Sequence, residues 1–259
     1  MAKFDTWCSS VDTPAGAHVS RVMTGRADCL ETAVAATAAA VPAHYASEEH
    51  IARLLTRLGK DRAAAYIHGK LPVDKGIRSG DLGEIYATEW IDAHSGGYCA
   101  PIKRLRWKDH QNMAMRGDDV VGLRQDPQTQ RLHFIKTEAK SRATLTAQVI
   151  RDARAALDKD EGLPSAHALS FISERLFELG HLDLADAIDD AQRVHGIPPE
   201  TVQHLCFIFS GNAPGKLMVD SLQQYAGPIA QWSVGLHVEG QVDFIARVYQ
   251  QVMDDADEL

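Results

Sequence analysis

The sequence contains few cysteines and no long apolar run. Its four cysteines, Cys8, Cys29, Cys99 and Cys206, are scattered and form no C-x-x-C pair, which argues against a zinc knuckle and a disulfide framework. No stretch approaches the roughly 18–20 consecutive apolar residues of a membrane-spanning helix, and the N-terminus lacks the apolar segment of a secretory signal. These absences predict a cytoplasmic protein with free thiols and no membrane partner.

The composition is that of an ordinary globular chain with an uneven charge distribution. The 259 residues are 45% apolar and 24% charged, enough for one large domain or two small ones. The formal net charge of −8 disfavours a nucleic-acid partner when it is taken as an average. Residues 101–154, however, hold 12 Lys or Arg against 6 Asp or Glu. A basic band therefore lies within an acidic chain, as a phosphate-binding surface requires.

The first 75 residues are predicted to form a mostly helical N-terminal segment after an irregular start. Ser47 is a helix-capping residue, and Pro42 and Gly59 are typical of helix ends. Helices are predicted over 29–41, 48–58 and 60–68. The breaker-rich residues 70–80 predict a boundary, so that residues 1–75 and 76–259 are separate units.

From residue 80 onward the sequence alternates between helical and strand patterns. Helices are predicted over 81–93, 144–158, 165–179 and 182–195, and from about 241. Strands are predicted over 98–106, 119–125, 130–138, 204–210 and 232–238. This order indicates an α/β or α+β fold, with a mixed sheet flanked by helices and a helical insertion at about 164–196.

The strands over 119–125 and 130–138 are predicted to form a hairpin. Asp126 and Pro127 lie between them, and aspartate followed by proline favours a type I turn. If Asp126 to Thr129 is the turn, residue 125 pairs with residue 130. That register is the basis for predicting which charged side chains meet.

The hairpin brings two carboxylates and a lysine to one face of the sheet. Residues two apart on a strand point the same way, so Glu138 and Lys140 project together. The predicted register places Asp119 opposite Lys136 and diagonal to Glu138, where two carboxylates can converge on one cation. A one-residue bulge would bring Asp118 to that face instead of Asp119.

This set of side chains predicts a site for a hard divalent cation. Mg²⁺ prefers oxygen ligands and binds one or two carboxylates together with water and substrate phosphate. Asp119 and Glu138 are the predicted metal ligands. The ammonium of Lys140 would orient the attacking water and offset charge in the transition state.

An Asp, a gap of about twenty residues and a Glu-x-Lys resemble the PD-(D/E)xK phosphodiesterase superfamily. The match consists of Asp119 before VVGLR and the TEAK ending on Lys140, although no proline precedes Asp119. The resemblance implies a restriction-endonuclease-like α/β fold and hydrolysis that depends on Mg²⁺, with Mn²⁺ as a substitute. It also implies a further acidic residue on the preceding helix, which is Glu84 here, and the Ala139 carbonyl as an additional metal ligand.

Three longer segments are similar to the HamA family, the nuclease subunits of Hachiman anti-phage defence systems. They are SGDLGEIYATEWI, IKRLRWKDHQNMAMRGDDVVG and FIKTEAKSR. This resemblance implies an endonuclease that degrades DNA and a HamB-like superfamily 2 helicase that restrains it.

Basic residues around an aromatic ring predict contacts with a nucleic-acid backbone. The predicted contact residues are Lys103, Arg104, Arg106, Lys108, Arg116 and Arg142, with Trp107 among them. A solvated strand edge would also use such side chains. Two other functions stay open at this point: a catalytically silent subunit that binds DNA or a helicase, and an RNase, because the motif does not read the sugar.

Overall fold

The structure is a computed structural model that describes residues 1–16 and 18–259. It confirms the predicted fold class: an α/β protein with one six-stranded mixed sheet flanked by helices. The strands are β1 (Cys8–Ala15), β2 (His18–Gly25), β3 (Val120–Gln125), β4 (Leu132–Arg142), β5 (Val202–Ser210) and β6 (Gln231–His237). Their order across the sheet is β1-β2-β6-β5-β4-β3. The pairs β1–β2 and β3–β4 are antiparallel, and the three central pairings are parallel.

The α-helices cover both faces of this sheet. They are α1 (Leu30–Ala40), α2 (Pro42–Tyr45), α3 (Glu48–Leu58), α4 (Lys60–Lys70), α5 (Lys75–His94), α6 (Ala147–Leu157), α7 (Ala166–Glu178), α8 (Leu182–Asp190), α9 (Gly215–Gln223) and α10 (Gln241–Asp257). Helices α1, α5 and α10 share a buried cluster with one face, rich in aromatic side chains such as Tyr86, Phe209 and Phe244. Helices α6 and α7 cover the other face through Ile150, Leu169 and their neighbours. Parallel strands buried on both faces are expected in such a layered fold.

The predicted helix ends in the N-terminal segment are confirmed. The Ser47 side chain accepts a hydrogen bond from the backbone N–H of His50 at the start of α3, and Gly59 ends that helix with a φ of 83°. Helix α1 ends at Ala40, and Pro42 is the first residue of the next helix, α2. Side-chain capping and a left-handed glycine therefore explain where these helices begin and end.

The first 25 residues differ from the predicted irregular start, because they form the antiparallel pair β1–β2, and β2 pairs with β6 in the same sheet. Six of the eight β1 side chains are exposed. An edge strand with so few buried side chains lacks the apolar alternation that identifies strands in a sequence. The division at residue 75 stays a prediction, as do the limits of the helical insertion, whose residues include α7 and α8.

The predicted strand over 98–106 is wrong. This described stretch pairs with β3 only through the isolated bridge between Cys99 and Leu123, and it then forms a 3₁₀ turn over Arg104–Trp107. Pro101 has no backbone N–H to donate to a neighbouring strand. The apolar residues of this stretch anchor a loop instead, with Ile102 and Leu105 buried.

Two helical stretches were also missed in the sequence. Helix α5 begins at Lys75, because the Asp74 carboxylate accepts a hydrogen bond from the N–H of Ile77 (2.9 Å), so half of the predicted 70–80 loop is helical. Helix α9 follows the Gly211-Asn212 turn and packs on β2, β6 and α6. Within the described residues, no helix is both long enough and apolar enough to cross a membrane.

Helix α5 lies unusually close to strands β3 and β4. A Cβ on Gly122 of β3 would lie only 3.1 Å from Cγ2 of Ile91. The Ser79 hydroxyl of α5 hydrogen-bonds to the Ser141 hydroxyl of β4 (2.8 Å), which also accepts from Gln241 of α10 (2.9 Å). These contacts fix α5 relative to the two strands that carry the predicted site.

Candidate active site

The β3–β4 hairpin has a longer connection than its turn signal predicts. Gln125 pairs with Leu132, so the loop contains six residues, 126–131. The Asp126 carboxylate accepts hydrogen bonds from the N–H groups of residues 128 and 129 (2.9 and 2.8 Å), as expected of aspartate at the start of a turn. Gln130 then adopts a φ of 59°. Residues 130 and 131, which the prediction assigned to the second strand, belong to the loop.

The longer loop shifts the pairing of the two strands by two positions from the predicted one and leaves the side-chain faces unchanged. Val121, rather than Asp119, lies opposite Lys136. Because the side-chain repeat along a strand is two residues, an even shift keeps the same side chains together. The register instead places Asp119, which directly precedes β3, beside Glu138 and Ala139.

Asp119, Glu138 and Lys140 are brought together as predicted, with one contact that the sequence did not indicate. The Asp119 Oδ2 atom accepts a hydrogen bond from the backbone N–H of Ala139 (2.8 Å). Glu138 and Lys140 form an ion pair on the same strand face. The Ala139 backbone therefore fixes the orientation of the Asp119 carboxylate across the hairpin, while its predicted role as a carbonyl ligand stays a prediction.

Glu84 joins this group through Arg104. Arg104 Nε donates to Glu84 Oε2 (2.9 Å), and Arg104 Nη2 donates to Asp119 Oδ1 (3.1 Å). Its remaining nitrogen, Nη1, donates to the carbonyls of Arg116 (3.2 Å) and Asp118 (2.7 Å). The side chain of Arg104 is only 12% exposed. An arginine that the sequence predicts to contact nucleic acid is thus the link between two predicted catalytic carboxylates.

Burial shifts the titration of all three carboxyl groups upward. Desolvation raises the pKa of Glu84 to about 7, against the opposing effect of Arg104 and with a further increase from Asp119. Desolvation also raises the pKa of Asp119, and Arg104 and the Ala139 N–H oppose this shift. The pKa of Glu138 is raised by desolvation and by Asp119, and Lys140 opposes the rise. A cation placed near such a buried carboxyl group stabilises its charged form.

Asp118 and Lys136 form a second polar group next to the first. Asp118 Oδ2 accepts a hydrogen bond from the N–H of Ser165, the capping residue of α7 (2.7 Å). Lys136 is buried on β4, and its Nζ donates to the Lys159 carbonyl (2.6 Å) and lies 3.9 Å from Asp118 Oδ1. Sequence reasoning missed Lys136, although its position two residues before Glu138 indicates the same face.

The other basic residues mostly have partners inside the protein. Lys108 Nζ binds Asp81 (2.7 Å), Lys103 Nζ lies 3.7 Å from the buried Glu89, and Arg106 Nε donates to the Ala43 carbonyl (2.9 Å). Of the six predicted nucleic-acid contacts, the two exposed ones are Arg116 and Arg142. Four of the six, Lys103, Arg104, Arg106 and Lys108, therefore have partners inside the protein, and the role of the basic band in nucleic-acid contact stays a prediction.

A cavity of about 550 Å³ opens beside the carboxylates. Glu84, Arg104 and Asp119 lie on one side of it, and its apolar wall is formed by side chains that include Leu105, Trp107, Phe171 and Ile172. The rings of Trp107 and Phe171 meet edge to face with centroids 6.1 Å apart. Of the predicted site residues, Glu84 and Asp119 therefore line the cavity, whereas Glu138 and Lys140 do not.

The donor chemistry of the site fits a hard divalent cation such as Mg²⁺. Its ligands would be carboxylate oxygens from paired strands, which is the set that Mg²⁺ prefers. In the part of the chain that the structure describes, no group of three or more His, Cys, Asp or Glu side chains is already arranged around a metal position. Glu84 and Asp119 instead share Arg104, and Glu138 pairs with Lys140.

Fold and site together define an α/β protein with a mixed sheet, in which a hairpin presents an Asp and a Glu-x-Lys side by side. The chain belongs to the HamA family, whose family model matches residues 3–252. It is also 29% identical over 121 residues to "Hachiman protein HamA" of Bacillus cereus. That match covers 47% of this chain and 41% of the relative, so it spans less than half of the relative's length.

Proposed function

We propose that this protein is a metal-dependent nuclease that hydrolyses DNA phosphodiester bonds as the effector of a Hachiman defence complex. The observation that carries the proposal is the hairpin, which holds the Asp119 carboxylate through the Ala139 N–H (2.8 Å) beside the Glu138–Lys140 pair. Two carboxylates and a lysine at one largely buried position, of which Asp119 lines a cavity, are the groups that metal-assisted hydrolysis needs.

Each side chain has a separate role in this proposal. Asp119 and Glu138 would hold Mg²⁺ or Mn²⁺, with Glu84 and the Ala139 carbonyl completing the shell, and the metal would supply an acidic bound water and neutralise phosphate charge. Glu138 keeps the Lys140 ammonium next to this position through their ion pair. Lys140 would then orient the attacking water and accept charge that develops on the phosphate oxygens.

The surroundings of the site support a nucleic acid as the substrate. The cavity beside Glu84 and Asp119 contains the half-buried ring of Trp107, and the exposed Arg116 lies at its lining. An aromatic ring and an arginine next to a phosphate-hydrolysing centre are suited to one nucleotide and its backbone. Arg142, exposed at the end of β4, is a second candidate phosphate contact.

Family membership supports a partner as well as an activity. The relative from Bacillus cereus is named a Hachiman protein, and a HamB-like superfamily 2 helicase is the proposed partner. Of the six predicted nucleic-acid contacts, Lys103, Arg104 and Lys108 are paired with acids inside the protein and are not free to hold DNA. A helicase would supply DNA affinity that these residues do not provide.

The proposal is tested by plasmid cleavage with Mg²⁺, Mn²⁺ or EDTA, with the protein alone and with its helicase partner. Cutting is expected with either metal and not with EDTA. Glu138→Gln, which removes one ligand charge and the partner of Lys140, is expected to reduce the rate by about 100-fold. The matched control is Glu178→Gln, because Glu178 is exposed and pairs only with Arg175 on α7.

Three results would contradict the proposal. If Glu138→Gln cut DNA as fast as the unaltered protein, the site would be wrongly assigned. If the protein bound DNA or the helicase but cut under no metal condition, the catalytically silent alternative would replace it. Faster cutting of a single-stranded RNA of the same sequence would identify an RNase of the same fold.

A further inference from the structure

Arg104 occupies the position between carboxylates where a metal ion would be expected. The Nε and Nη2 atoms form one edge of the guanidinium, a fork that usually takes both oxygens of a single carboxylate. Here the fork takes one oxygen from each of two acids, Glu84 Oε2 at 2.9 Å and Asp119 Oδ1 at 3.1 Å. The guanidinium therefore joins a helix residue to a hairpin residue as a bridging cation would.

The other side of the guanidinium is bound by its own loop. Nη1 donates to the carbonyls of Arg116 (3.2 Å) and Asp118 (2.7 Å), and the side chain is almost entirely buried. A buried arginine with this many acceptors is an integral part of the site. Arg104 and a divalent cation cannot both occupy the same face of the Glu84 and Asp119 oxygens, because they are like charges that need the same lone pairs.

The structure also provides a place to which Arg104 can withdraw. It lies on the short 3₁₀ turn Arg104–Trp107. Residues 108–119, which follow this turn and are all described, contain no helix or strand. Arg104 lines the 550 Å³ cavity beside the carboxylates. Rotation of the long side chain into this space would leave both carboxylates free without unfolding a strand or a helix.

We propose that Arg104 is an internal counter-ion that holds Glu84 and Asp119 in the metal-free protein and must leave them before a divalent cation binds. It is a positioning residue that sets the metal affinity of the site. The inference rests on the proposed function, since it takes these carboxylates to be metal ligands. Its consequence is that the isolated protein is poised in a state in which the metal competes with a resident side chain.

Mn²⁺ binding to the full-length protein, measured by the loss of the free-ion electron paramagnetic resonance signal, tests this inference without any cleavage assay. Arg104→Gln removes the competing charge, so the Mn²⁺ affinity is expected to rise by about tenfold or more, as when a binding-competent state becomes fully populated. The metal-free melting temperature is expected to fall, because Glu84 and Asp119 lose their counter-ion. The matched control is Arg193→Gln, since the Arg193 side chain is 63% exposed and pairs with Asp189 on the surface (3.5 Å), so its loss is expected to leave both properties nearly unchanged.

The inference would be overturned if Arg104→Gln bound Mn²⁺ no more tightly than the unaltered protein does. That result would show that Arg104 only helps to shape the metal site. If Arg104→Gln does not fold, Arg104→Lys takes its place; it retains the charge without the fork, and an affinity increase of about threefold is then expected. No increase in that variant would equally reject the inference. Tight Mn²⁺ binding without DNA cleavage would reject the proposed nuclease while leaving the role of Arg104 intact, so the two failures can be distinguished.

Discussion

Replacing Lys108 with methionine is expected to lower the free energy of unfolding by about 3–5 kcal/mol. The Lys108 and Asp81 side chains are 4% and 5% exposed, and Lys108 Nζ lies 2.9 and 2.7 Å from the two carboxylate oxygens. Tyr45 donates a hydrogen bond to Asp81 (2.7 Å), and its hydroxyl also meets that of Tyr249 (2.8 Å). Removing the lysine leaves a buried carboxylate whose pKa is already raised by burial and is lowered chiefly by Lys108, with smaller contributions from Tyr45 and Arg104.

Urea unfolding of the purified variant measures this loss, and two comparisons identify its cause. The double variant Lys108→Met with Asp81→Leu removes both charges and is expected to recover most of the stability. Lys216→Met is the surface control, because Lys216 is 85% exposed and pairs only with Asp220. A loss below about 0.5 kcal/mol for Lys108→Met would show that Lys108 is a surface residue, as a nucleic-acid contact would be.

The largest effect on activity is expected for Asp119→Asn, with a fall in the cleavage rate of roughly 1,000-fold, equivalent to about 4 kcal/mol of transition-state stabilisation. Asparagine can still accept the Ala139 N–H, so the hairpin is retained, but the charge that would bind the metal is lost. The matched comparison is Asp118→Asn, one residue away. Asp118 caps the start of α7 through Ser165, so this change is expected to cost about 1–3 kcal/mol of stability and much less activity.

The two variants also decide which of the two adjacent aspartates would be the metal ligand. A fall in cleavage for Asp118→Asn that equals or exceeds that for Asp119→Asn, with both proteins folded by circular dichroism, would assign the metal ligand to Asp118. Asp183→Asn, on the exposed first turn of α8, controls for the loss of one negative charge.

The faces of the hairpin could be predicted from the sequence, but its register could not. The Asp-Pro signal indicates where the chain turns, and the six-residue loop depends on the left-handed conformation of Gln130, which few residues adopt and no motif announces. The error of two residues did no harm to the site, because Asp119, Glu138 and Lys140 keep their common face. An error of one residue would have exchanged Asp119 for Asp118.

The acidic partners of the basic residues could not be predicted from the sequence. Lys103, Arg104 and Lys108 follow one another closely and look like a surface for phosphates, yet each points to a different acid on α5, namely Glu89, Glu84 and Asp81. Those three acids have a spacing of three and five residues along one helix. Pairing between a helix and a loop depends on how the two elements pack, and charge counts within a window of sequence do not contain that information.

The N-terminal hairpin was missed for a similar reason. Strand β1 is an edge strand with mainly polar, exposed side chains, and only its ends are buried at Cys8 and Ala15. Its pairing with β2, and that of β2 with β6, is long-range and provides the missing stabilisation. Strands β3 to β6, which are buried on both faces, had strong apolar patterns and were predicted within a few residues.

The assigned site is tested most directly by the single-turnover cleavage rate of labelled duplex DNA by Lys140→Met, with saturating Mg²⁺ and the proposed helicase partner present. The rate is expected to fall by about 100-fold, because Lys140 would orient the attacking water and offset charge in the transition state. Lys216→Met is expected to cut at the unaltered rate. If Lys140→Met is folded and cuts at a rate within about twofold of the unaltered protein, the site formed by Asp119, Glu138 and Lys140 is not where the phosphodiester bond is broken.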